Sequence, residues 1–122
     1  MPVVKATTPA SARMVVSDAW MEANKGNQDS YIDVKKRLSS PAGAILSTTF
    51  PVDDLAGRFN PRAITINSDE DSSSATSAWL NCMYEDETAA TRERFLCAIT
   101  HPEQIKRIYP YNSTARGILI KS

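Results

Sequence analysis

Five prolines stand where the periodic patterns of this chain break, and they bound what each stretch can become. Pro41, Pro51, Pro61, Pro102 and Pro110 cut the sequence into short segments. Proline lacks the amide donor and fixes φ, so neither a helix interior nor an inner strand runs through it. The residue before it is held extended. The hydrophobic period between these marks decides helix or strand.

Two further prolines lie in residues 2–10 (PVVKATTPA), a stretch with no helical period. This predicts an extended arm over residues 1–11, in which Val3 and Val4 can pack on a neighbour. Residues 12–122 are expected to form one globular domain, long enough to bury a core without staples. Ser11 is a suitable N-cap and Gly26 a suitable C′ residue. Between them Ala12, Val15, Val16, Ala19 and Ala23 share one helical face. Met14 and Met21 then fall on roughly the opposite face, so this helix is expected to make two contacts. Residues 30–38 predict a second helix, with Tyr31, Val34 and Leu38 as its stripe. Lys35, Lys36 and Arg37 carry the charge sign favoured at its end, and Pro41 follows.

Residues 44–50 (AILSTTF) read as a strand closed by Pro51. Residues 62–67 alternate, with Ile64 and Ile66 on one face. Residues 68–74 (SDEDSSS) are a polar loop. Residues 75–84 fit two patterns. A helix gathers Ala75, Ala78, Trp79, Cys82 and Met83. A strand sends Leu80, Cys82 and Tyr84 one way and Trp79, Asn81 and Met83 the other. The strand is preferred because it can pair with residues 62–67 as a hairpin. Residues 85–99 predict a helix with an acidic start and a Thr91, Phe95, Ala98, Ile99 face. Pro102 suits the first position of another helix, with Ile105, Ile108 and Tyr109 as its stripe. Residues 117–121 (GILIK) predict a last strand. The expected class is α+β: a small antiparallel sheet of about three to four strands packed with about four helices.

The net charge of zero hides a segregation. Residues 67–87 hold Asp69, Glu70, Asp71, Glu85, Asp86 and Glu87 and no lysine or arginine. Residues 88–122 hold Arg92, Arg94, Lys106, Arg107, Arg116 and Lys121 against Glu93 and Glu103. Separated charge of this kind steers a partner or a second copy into register.

Catalytic side chains are few. His101 is the one histidine and precedes Pro102; no Gly-x-Ser-x-Gly elbow accompanies it. Cys97 and His101 are four apart, but with Cys82 they supply only three ligands, short of a structural zinc set. Cys97 beside Leu96 and Ala98 reads as a packed thiol. Asp69, Asp71 and Ser73 alternate like the start of a calcium loop, yet Ser74 and Leu80 occupy the glycine and bidentate-acid positions. Asp53 and Asp54 fit a turn or cap. With four glycines and no phosphate-cradling motif, a nucleotide-dependent enzyme is nearly excluded. No cofactor or metal is expected.

No apolar run reaches the length of a membrane span. No signal-like segment opens the chain, and two cysteines make no disulfide framework. The expected setting is cytoplasmic, or inside an intracellular or viral assembly. The leading expectation is a non-enzymatic structural or interaction subunit of a larger assembly. Its partners would be other protein subunits or copies of itself. The residues expected to bind them are Val3, Val4, Met14, Met21, Asp69, Glu70, Asp71, Arg92, Arg94, Lys106 and Arg107. The second expectation is a nucleic-acid-binding domain, in which the bases of the last third interleave with Tyr109 and Tyr111. The third is a small enzyme using Cys97, His101 or an acidic pair.

Overall fold

A computed structural model describes residues 13–36, 40–49, 59–69 and 76–122. Within them the chain forms nine strands and one helix: β1 Arg13–Val16, α1 Asp18–Asn24, β2 Ile32–Asp33, β3 Ile45–Thr49, β4 Ala63–Ser68, β5 Ser77–Tyr84, β6 Thr91–Leu96, β7 Thr100–His101, β8 Ile105–Tyr109 and β9 Ala115–Lys121. One sheet has the order β3-β1-β9-β4-β7 and the other β2-β8-β5-β6. Every pairing is antiparallel.

The expected α+β class with four helices is therefore corrected to a mostly β architecture of two antiparallel sheets. The strands over residues 44–50, 62–67, 75–84 and 117–121 are present as β3, β4, β5 and β9. However, β4 and β5 are not a hairpin. They lie in different sheets, β5 between β6 and β8, β4 between β9 and β7. Of the helices, only a seven-residue remnant of the first survives. Its N-cap is Ser17, not Ser11: the Ser17 hydroxyl oxygen accepts from the Trp20 amide at 3.1 Å. Residues 30–36 hold β2 and a turn, residues 85–99 a turn and β6, and residues 105–109 become β8.

Inward residues of the two sheets share one cluster. Met14, Val16, Ile64, Ile66, Ile118 and Ile120 come from the five-stranded sheet; Ile32, Ala78, Leu80, Cys82, Phe95, Ile105 and Ile108 come from the four-stranded one. Trp20 and Met21 of α1 join them. Each large aliphatic side chain in this cluster contributes on the order of 2 kcal/mol through its removal from water.

Bulges explain why helices were expected. In β8, Met83 of β5 faces Arg107 while the adjacent Tyr84 faces Ile105, so Lys106 is an extra residue. That extra residue turns Ile105 and Ile108, three apart, to the same buried side. A bulged strand thus reproduces the spacing of a helical stripe. In β9, Gly117 and Ile118 together oppose Ile66 of β4. Gly117 sits at φ 59°, the left-handed conformation such a bulge requires. Its amide donates to Asp18 Oδ1 at 2.8 Å and ties the start of α1 to β9.

Candidate nucleic-acid interface

Alternation along β5 buries Ala78, Leu80 and Cys82 and sends Ser77, Trp79 and Asn81 outward; Met83 lies on their side of the strand but is buried. Cross-strand register then fixes what else shares that outer face, because directly opposed residues point the same way. On β6, Arg94 lies opposite Trp79 and Arg92 opposite Asn81. On β8, Tyr109 lies opposite Asn81 and Arg107 opposite Met83. On β2, Asp33 faces Arg107. The inner partners of the same strands, Phe95 and Ile108, belong to the core.

Two arginine–aromatic stacks stand on this face. The Arg92 guanidinium carbon lies 4.3 Å from the Trp79 ring centre, and its Nε donates to the Asn112 carbonyl at 3.0 Å. The Arg107 guanidinium carbon lies 4.2 Å from the Tyr31 ring centre, and one terminal nitrogen donates to the Tyr109 hydroxyl at 3.3 Å. Tyr31 and Tyr109 are themselves 5.5 Å apart and tilted by 44°. The hydrogen bond to Tyr109 raises the already high pKa of Arg107 further, so this cation is permanent. Arg94 donates to the Ser77 hydroxyl at 2.9 Å. Asn81 holds the middle of the face: its side-chain amide donates to the Tyr111 carbonyl at 3.0 Å, and its backbone amide donates to the Ser113 hydroxyl at 2.7 Å.

A cleft adjoins each stack. One of about 430 Å³ lies between Asp29, Tyr31, Asp33, Lys36, Pro41 and Arg107. The other, about 330 Å³, lies between Lys25, Asp69, Arg92, Tyr111, Asn112 and Thr114.

The residues singled out in sequence separate into groups. Arg92, Arg94 and Arg107 come together on the outer face with Tyr109. Lys106, the bulge residue, instead donates through Nζ to the Glu87 carbonyl. Arg116 is buried; it pairs with Glu22 at 2.8 Å and donates to the carbonyls of Ala115 and Ser113 at 2.8 and 3.3 Å. Met14 and Met21 are core residues, both at 0% exposure: Met14 lies on β1 rather than on a helix, and Met21 shares the buried side of α1 with Trp20. Asp69 is exposed, and its amide donates to the Thr114 carbonyl at 2.9 Å. Val3, Val4, Glu70 and Asp71 lie outside the described residues, as do the rest of the expected arm and Asp53 and Asp54. Sequence reasoning did not single out Trp79, Tyr31 or Asn81 as binding residues. The outward alternation of Trp79 and Asn81 was legible, but the arginines opposite them were not.

Of the groups considered for catalysis or metal binding, Cys97 is a half-buried free thiol. His101 Nε2 contacts the Leu96 carbonyl at 3.0 Å, and its ring meets Phe95 edge-on at 5.1 Å. Burial, with Glu93 and Glu87 nearby, pushes the Cys82 thiol up to about 12, far from thiolate reactivity. Burial likewise raises Tyr84. Among the described residues no three His, Cys, Asp or Glu side chains gather as a metal set. Among them, too, no helix is long and apolar enough to cross a membrane. No family model matches the sequence, and no curated protein or solved structure matches it, so the outer face is read on its own geometry.

Proposed function

We propose that this chain is a non-enzymatic subunit that binds nucleic acid on the outer face of its four-stranded sheet. The observation that carries this reading is the convergence of Arg92, Arg94 and Arg107 with Trp79 and Tyr109 on one side of β6, β5 and β8, joined there by Tyr31, the residue before β2. Cations neutralise phosphates, and aromatic or guanidinium planes accept bases. The face carries Asp33 beside Arg107, and Asp29 and Asp69 line the two adjoining clefts. The acidic turn, Glu85 to Glu87, lies beyond the end of β5, where Lys35 pairs with Glu85.

The test is anisotropy of a labelled 20-nucleotide oligonucleotide across a salt series. Binding should weaken steeply with salt, with a logarithmic slope of about −2 if three arginines each meet a phosphate of a single strand. Arg92→Ala with Arg94→Ala should flatten that slope. Failure of the wild-type protein to retain any oligonucleotide at low salt refutes the proposal.

A second reading, a protein-binding subunit of an assembly, is supported by the corner between β6 and β7. Leu96 and Ile99 are 51% and 48% exposed there, beside an exposed Ala98 at φ 61°. Clustered apolar exposure of this kind is what a protein partner covers. Light scattering at low and high salt, on the full chain and on the chain lacking residues 1–10, tests it. A monomer under every condition, retained with no partner from the native source, counts against this reading.

A further inference from the structure

We infer that the ligand of this face is a single strand with unpaired bases, and that the bases stack on the guanidinium planes of Arg92 and Arg107. This rests on the nucleic-acid reading and narrows it. Each guanidinium is already held over an aromatic ring, at 4.3 Å for Arg92 on Trp79 and 4.2 Å for Arg107 on Tyr31. Each is also pinned along its edge by one acceptor, the Asn112 carbonyl or the Tyr109 hydroxyl. A guanidinium already held against a ring and hydrogen-bonded at one nitrogen loses little further freedom when a base stacks on it. Arg92 is exposed and Arg107 half-buried, so both can be reached from solvent.

The separation of the two stacks selects the form of the ligand. Arg92 and Arg107 lie on β6 and β8, on either side of β5, opposite Asn81 and Met83 respectively. Two strand spacings across and two residues along place their backbones roughly 12 Å apart. Successive bases within a helix are only about 3.4 Å apart. Neighbouring bases that remain stacked on each other therefore cannot occupy both planes. A splayed strand can, with one or two nucleotides bridging the row occupied by Asn81. A duplex offers no free base plane and presents phosphates and groove edges instead. Splayed single-stranded bases stack on aromatic side chains or on guanidinium planes.

Lysine separates the plane from the charge. Arg92→Lys with Arg107→Lys keeps both cations but removes both planes. The experiment measures anisotropy of a 12-nucleotide oligouridylate, a 12-nucleotide oligodeoxythymidylate and a 12-base-pair DNA duplex at one salt concentration. Circular dichroism of the variant confirms the fold. The expected result is tighter binding of the single strands than of the duplex. The lysine variant should lose at least tenfold for the single strands, the scale of one stacking contact, and little for the duplex. Wild-type affinity in the lysine variant, or equal affinity for duplex and single strand, overturns the stacking inference while leaving charge-driven binding intact. No binding of any of the three probes by the wild-type protein removes the underlying reading as well.

Discussion

Gly117→Ala tests the most demanding backbone position in the fold. Gly117 has φ 59° and forms, with Ile118, the two-against-one bulge opposite Ile66. An added Cβ would lie 3.2 Å from Asn67 Nδ2, tighter than an ordinary contact. Left-handed backbone costs an L-residue about 1–2 kcal/mol. Alanine restricts the unfolded chain and returns about 0.4–1 kcal/mol of that. Asn67 is exposed and can yield by a few tenths of an ångström, so crowding adds little. The net expectation is a loss of about 1 kcal/mol. For a chain of 122 residues the unfolding entropy is about 0.26 kcal/mol/K, which makes this a fall of about 4 °C in Tm. Urea unfolding followed by tryptophan fluorescence, at unchanged m, measures it. The double variant Asn67→Ala with Gly117→Ala separates the two causes, since it relieves the contact and leaves the φ strain. A Gly117→Ala protein as stable as wild type would refute the strain argument. Full recovery in the double variant would place the cost in the contact instead.

Other consequences follow from the same geometry. Lys25 and then Arg116 hold the Glu22 carboxyl down from 4.5 to about 2. A carboxylate with a depressed folded pKa contributes stability above its unfolded value and loses it as pH falls toward the folded one. Wild type should therefore lose stability between about pH 4.5 and 2 through this group, and Glu22→Gln should not. Urea midpoints that fall in parallel for both proteins over that range would count against the pairing. Cys82 is buried and Cys97 half-buried, so a thiol-specific disulfide reagent should label Cys97 first in the native protein and both after unfolding; early labelling at Cys82 would show that β5 opens. Ser17→Ala removes the cap acceptor for the Trp20 amide and should cost about 1 kcal/mol in a urea titration. A change within error there would mean that the burial of Trp20 and Met21 and the ties of Asp18 and Glu22 to β9 hold α1 without the cap.

Legibility in the sequence followed burial. The strands whose apolar residues alternate cleanly, Ile64 with Ile66 and Leu80 with Cys82, were readable because each buries one face. The strand β6 was not. Its outward side is Arg92, Arg94 and Leu96, and its inward side buries only Phe95 fully, so no period of two marks it. Glutamate, arginine and alanine around it favour a helix in isolation, and pairing along β5 overrides that preference. The strand β8 was hidden differently, by the extra residue Lys106 that spaces Ile105 and Ile108 like a helix. The basic last third was visible as charge, but Arg116 in it is a buried structural cation.

The sequence by itself determined where elements break, at the prolines, and which residues of β4 and β5 alternate. These are local properties: a fixed φ, a missing donor, and a two-residue period set by the pleat. Only the tertiary structure decided that β4 and β5 part into separate sheets, and that Arg92, Arg94 and Arg107 share a side with Trp79 and Tyr31. Those arrangements depend on register between segments distant in sequence, and register is set by whichever pairing buries the most apolar surface at once. No single segment carries that sum.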